Sequence, residues 1–165
     1  MSIFFNADEI FQIGIRIETN GRAFYAAVAQ GSFDPALKGL FEELSKWESE
    51  HIELFERLRQ ALPEAARRGG AFDPGQELAL YLQATADTHV FVKNRDVSDL
   101  ASRCRTPLEA LGLAITFEKD SVVFYTTMKQ VVPEGFGREQ IDRLIDEELR
   151  HISLLHQKVR GLEGV

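Results

Sequence analysis

The feature that most constrains this chain is a Glu-x-x-His motif that occurs twice, 100 residues apart, each time inside an apolar helical stripe. Glu48 and His51 form the first pair, Glu148 and His151 the second. The same offset relates Glu18 to Glu118 and Phe24-Tyr25 to Phe124-Tyr125. Each Glu-x-x-His also follows its single Glu by 30 residues. Two of the four histidines and four carboxylates therefore obey one internal repeat, and the fold must place ionisable groups where apolar side chains would otherwise pack.

The flanking sequence predicts helices. Asn6 with Glu9 makes a capping box, and helix 1 runs to about Gln30, stopped by Gly31. Its seam reads Phe11, Gly14, Glu18, Gly21, Tyr25, Val28, the three-and-four spacing of a bundle helix. Asp34-Pro35 starts helix 2, which continues to about Leu62 before Pro63. Its seam is Leu37, Phe41, Leu44, Glu48, His51, Phe55, Leu58, Leu62, apolar at every position but two.

Thr106-Pro107-Leu108-Glu109 starts helix 3, which runs to about Val132 with the seam Leu108, Leu111, Ile115, Glu118, Val122, Tyr125, Met128. Pro133, Gly135 and Gly137 make the next turn. Helix 4 extends to about Arg160 with the seam Ile141, Leu144, Glu148, His151, Leu155, Val159, and Gly161 closes it. Residues 63–106 are less regular, and Arg67-Arg68 reads as a solvated loop. Asp73-Pro74 suggests a further helix start, with Leu78, Tyr81, Leu82, Thr85 and His89 on one face. A connection this long suits a crossover that starts helix 3 at the same end as helix 2.

Helix geometry sets the heights. Antiparallel partners meet where they are equally far from their turn. Glu18 and Glu48 are equidistant from residue 33, and Glu118 and Glu148 from Pro133. Each single Glu is thus level with its Glu-x-x-His, whose two side chains face the same way. Buried ionised carboxylates need compensation, and the seams carry no Lys or Arg at these levels. Two divalent cations would neutralise four carboxylates. A Glu from each of two helices and a Glu-x-x-His from each of the other two match the ligand set of di-iron and di-manganese bundles.

Bulk properties agree. A net charge of -7 argues against a nucleic-acid partner. Cys104 stands alone, so no internal disulfide or cysteine-based metal site is expected. The first residues show no signal-peptide pattern, and no apolar run approaches the roughly 20 residues that span a bilayer. The expectation is a soluble, cytoplasmic protein.

On these motifs the sequence resembles the ferritin-like superfamily, in particular the rubrerythrin-type di-iron domain, over both hairpins. The resemblance implies an all-α, ferritin-like four-helix bundle with a long, partly helical crossover between helices 2 and 3. It forms a single domain over 1–165, divided into a hairpin (7–62), the crossover (63–106) and a second hairpin (107–160). It implies that Glu48 and Glu148 bridge two metals, with Glu18 and His51 completing one and Glu118 and His151 the other. The metals would be two Fe ions, although mixed imidazole and carboxylate sets also accept Mn or Zn. The implied activity is oxidation of bound Fe(II) by peroxide or dioxygen, as in a peroxidase or ferroxidase. The competing expectation is a non-catalytic iron-binding or storage protein, or a bundle supported by a redox-inert metal.

Two departures stand out. Rubrerythrins usually carry a further Glu one turn after the helix 3 ligand, where this chain has Ser121. The paired Cys-x-x-Cys motifs of a rubredoxin-like domain are missing, so electrons would come from a separate donor protein. A homodimer is the default assembly, and a storage cage is less expected because no fifth helix follows helix 4.

Other residues carry alternatives. Tyr25 and Tyr125 share the inward face two turns from Glu18 and Glu118, where they either contact a ligand or simply pack. Gly14 and Gly21 either make room beside Glu18 or allow close helix packing. Asp87 and His89 could give an accessory metal contact but read better as core or surface residues. His156, Glu50 and Glu147 read as surface groups, with an outer contact to the site the lesser alternative for the two glutamates.

Overall fold

Three of the four long helices begin where the sequence supplies a side-chain cap, and the last begins after Gly137 without one. The computed structural model describes residues 6–31, 34–68, 80, 84 and 97–164. Its helices are α1 (Ala7–Gly31), α2 (Pro35–Ala61), the short α3 (Glu64–Arg68) and α4 (Val97–Arg103), then α5 (Pro107–Val131) and α6 (Arg138–Glu163). No strand occurs among the described residues, and no described helix is long and apolar enough to cross a membrane. Asn6 and Glu9 exchange backbone-to-side-chain hydrogen bonds of 3.0 and 2.9 Å. Asp34 accepts from the amides of Ala36 and Leu37. Thr106 and Glu109 complete a capping box on α5. These bonds satisfy amides that have no partner inside the helix.

Two expected boundaries change. Gly161 does not close the last helix; α6 continues to Glu163 and ends at Gly164, in the left-handed region at φ 75°. Helices commonly end on a glycine in that conformation, and Gly161 does not adopt it. Arg67-Arg68 is not a solvated loop either. It ends α3, and Arg67 donates to the carbonyls of Arg59, Gln60 and Leu62 at the end of α2. The Asp73-Pro74 start, the proposed face through Leu78, Tyr81, Leu82, Thr85 and His89, and Asp87 lie outside the described residues.

α1 packs along α2 and α5 along α6, and the hairpins join where α1 meets α5. The side chains fix the directions. Tyr25 reaches Glu118 while Tyr125 reaches Glu18, so α1 and α5 are antiparallel. Trp47 lies on His151 while His51 meets Glu147, so α2 and α6 are antiparallel as well. α2 and α5 therefore run in parallel, and α4, which precedes α5, packs on α1.

The α2 seam is buried throughout. On α1, Val28 is only half-buried, while Ile10, Ile17, Phe24 and Ala29 widen the stripe. The α5 seam shifts most: Leu108 is 40% exposed and Ile115 and Val122 are half-buried, whereas Ala110, Ala114, Phe117, Ser121 and Phe124 are buried. α5 packs on both α1 and α6, so its buried face is broader than one seam, and small residues fill the narrow side. Leu108 sits in the first turn, at the rim of the bundle. At Gly21 a Cβ would lie 2.6 Å from the Phe117 ring, so glycine is what permits α1 to approach α5. Gly14 faces Met128 and Phe55. The space at both glycines is filled by side chains.

Candidate metal centre

Glu18, Glu48, Glu118 and Glu148 each lie near the middle of their helix and are fully buried. His51 and His151 join them, nearly as buried. The six residues form two overlapping groups, Glu18-Glu48-His51-Glu148 and Glu48-Glu118-Glu148-His151, each with ligand atoms within 4.8 Å of one another. Glu48 and Glu148 belong to both. The Nδ1 of His51 points into the cluster, 3.3 Å from Glu48, 3.2 Å from Glu148 and 3.7 Å from Glu18. The Nδ1 of His151 lies 2.9 Å from Glu148 and 3.7 Å from Glu118.

The tyrosines bind across the hairpin junction. Tyr25 donates to Oε1 of Glu118 at 2.6 Å, and Tyr125 donates to Oε1 of Glu18. Phe41 and Phe117 pack on Tyr25, and Phe55 and Phe124 on Tyr125, closing the cluster at both ends with aromatic rings. One oxygen of every carboxylate, namely Oε2 of Glu18 and Glu118 and Oε1 of Glu48 and Glu148, makes no hydrogen bond, although Oε1 of Glu148 lies 3.2 Å from Nδ1 of His51. Among the described residues no Lys or Arg pairs with these four groups. Four such carboxylate oxygens in a buried core are what divalent cations would compensate, and the oxygen and imidazole donors suit Fe, Mn or Zn. The donor set fits a di-metal site.

Comparison with protein-family models and with curated proteins finds no match. Among solved structures, the chain superimposes on a Thermotoga maritima crystal structure described provisionally as a ferritin-like diiron-carboxylate protein. The TM-score is 0.71 at 24% identity, covering 95% of this chain and 96% of that one. The fold is ferritin-like. At this identity the likeness establishes the helical arrangement, and the buried cluster alone suggests the metals.

Within the ferritin-like core the charges settle unevenly. Burial, then the nearby Glu18, pushes Glu48 well above the usual carboxylate range. Burial and Glu148 do the same to Glu118. Burial also acts upward on Glu148, but His51 and His151 outweigh it and hold that carboxyl low. Burial pulls both imidazoles down, and the carboxylates more than offset it: Glu148 and Glu147 raise His51 well above its ordinary value, and Glu118 and Glu148 push His151 up to about 9. Without metal, the cluster thus retains protons to limit its net charge. Burial, followed by Glu118 and Glu18 respectively, raises Tyr25 and Tyr125, so both hydroxyls stay protonated donors.

Two further residues reach the site, Glu147 in the lesser of its two expected roles and Trp47 outside those expectations. Glu147 is not simply a surface charge: its Oε2 lies 3.2 Å from Nε2 of His51. Trp47 was not singled out, yet its indole stacks on the His151 ring at 4.7 Å and 6°. The signal was available in the repeat, since Trp47 and Glu147 precede the two repeated glutamates and face the opposite histidine across antiparallel α2 and α6. Glu50 and His156 are exposed.

Proposed function

We propose that this chain is a rubrerythrin-like di-iron carboxylate protein that binds two Fe(II) ions and oxidises them with peroxide or dioxygen. The observation that carries the reading is the quartet of buried carboxylates, each with one oxygen that makes no hydrogen bond, in two histidine-containing groups that share Glu48 and Glu148. Glu48 and Glu148 would be shared by the two ions, with Glu18 and His51 completing one position and Glu118 and His151 the other. Bound iron supplies the one-electron redox chemistry, for which the side chains of the cluster have no equivalent.

The protein's own groups do the rest. Tyr25 and Tyr125 hold Oε1 of Glu118 and Glu18, leaving Oε2 of each without a hydrogen-bond partner. The surrounding rings exclude water, which strengthens every electrostatic contact inside. Burial raises Glu48 and Glu118 above the usual carboxylate range, and metal binding requires deprotonated ligands, so loading is coupled to pH. The reducing electrons, in this reading, come from a separate donor protein. The assembly we propose is a homodimer, which sedimentation of the full chain checks.

A second reading, an iron-binding or storage protein or a structural di-metal bundle, draws on Ser121. It is fully buried one turn from Glu118, where rubrerythrins usually place another carboxylate, so one charged ligand fewer is offered. Anaerobic loading with Fe(II), followed by peroxide or oxygen in a stopped-flow spectrometer, separates the two. Appearance of ferric absorbance, with repeated turnover when a reductant is supplied, is the expected result. Two bound ions that stay ferrous would remove the enzymatic reading.

A further inference from the structure

The internal repeat is kept at all six candidate ligands and both tyrosines, and broken at the residue just before each bridging glutamate, which is Trp47 in one half and Glu147 in the other. Because α2 and α6 are antiparallel, each of these residues falls beside the histidine of the opposite helix. His51 turns Nδ1 to Glu48 and Glu148 and Nε2 to Glu147, at 3.2 Å. The His151 ring lies flat on the Trp47 indole.

We infer that the two metal positions are unequal, the position completed by His51 taking a divalent cation more tightly than the one completed by His151, because Glu147 and Trp47 support the two imidazoles differently. The inference rests on the di-metal reading above. A carboxylate that accepts the Nε2–H fixes the tautomer with the Nδ1 lone pair facing the metal, orients the ring and raises its basicity. An indole restrains ring orientation by stacking, but its one polar group is a donor, so it cannot accept that proton. Outer contacts of the carboxylate kind are worth about 10- to 100-fold in metal affinity. Cations therefore load in order, first at the His51 side. The half-loaded protein has a defined structure, and the His151 side is the one that exchanges.

Calorimetric titration of the metal-free full chain with Co(II) tests this. Wild type should bind in two steps whose Kd values differ by at least about tenfold. His151→Ala should keep the tight step and His51→Ala only the weak one. Glu147→Ala should weaken the tight step by about 10- to 100-fold, with Glu147→Gln, still an acceptor but uncharged, recovering part of the loss. Trp47→Glu should strengthen the weak step. A merely structural role for Glu147 predicts equal weakening of both steps, which would overturn the inference. So would equal Kd values in wild type or in the two histidine variants. Two equal steps leave the di-metal centre standing, whereas a wild-type protein that binds no cobalt removes the centre and the inference together.

Discussion

Replacing Gly21 with alanine sets two opposing effects against each other at the contact that aligns the hairpins. Alanine in a helix interior is favoured over glycine by about 1 kcal/mol. Against this, the added Cβ would lie 2.6 Å from Cζ and 2.8 Å from Cε1 of Phe117. Ordinary carbon contacts are about 3.5–4.0 Å, so the ring must retreat by roughly 1 Å. Phe117 is fully buried and packs edge-on against Tyr25 with centroids 5.7 Å apart, so the ring has little room. Overpacking of this kind costs about 1–3 kcal/mol. The net expectation is a loss of about 1–2 kcal/mol, read as a lowered urea midpoint with unchanged slope for the metal-free protein. Gly14→Ala is the control. Its Cβ meets Met128 Cε at 3.0 Å and Phe55 at 3.2 Å, and a methionine end can rotate away. That variant should stay within about 0.5 kcal/mol of wild type, the propensity gain offsetting the contact. If Gly21→Ala matches or exceeds wild type while Gly14→Ala falls, the close α1–α5 approach is not what glycine provides.

Gly137→Ala should destabilise by about 1–3 kcal/mol, because φ is 113° and the Cβ would lie 2.6 Å from Leu58; thermal unfolding reads the loss. Tyr25→Phe and Tyr125→Phe should each cost about 1–3 kcal/mol in the metal-free protein, since each strips a donor from a buried glutamate. Similar urea-midpoint losses support mirrored roles, and a loss in only one variant contradicts them. For pH, His151 is raised from 6.5 to about 9, so its contribution is complete below pH 6.5 and is lost as pH climbs through 9. The raised Glu48 and Glu118 act in the same direction above the ordinary carboxylate range. Metal-free protein should therefore be less stable at pH 9.5 than at pH 6.5, by roughly 2–3 kcal/mol from His151 alone. With metal bound the trend should shrink or reverse, because binding requires deprotonated ligands.

The sequence made the bundle legible because its repeat, caps and seams point to one register. Glu48 and His51 interrupt an otherwise apolar stripe, and the equal distances to the turns put Glu18 and Glu118 at the same level. The broad buried face of α5 was harder to read. Ala110 and Ala114 are small and Ser121 is polar, so hydrophobic spacing favoured Leu108 and Ile115, and only packing on two neighbours reveals the wider stripe. The contacts of Arg67 and Glu147 are hard to read from sequence for a shared reason. Each is charged and partly exposed, and its role depends on a distant acceptor or donor, the end of α2 for Arg67 and His51 for Glu147. The exchange of tyrosines between hairpins needed the antiparallel α1–α5 register, which no local pattern encodes.

The most direct measurement is anomalous diffraction at the iron edge from crystals of the full chain loaded anaerobically with Fe(II). Two peaks per chain are predicted, both contacted by Glu48 and Glu148, one also by Glu18 and His51 and the other by Glu118 and His151. A single peak, peaks away from these six side chains, or none after loading would contradict the di-metal centre.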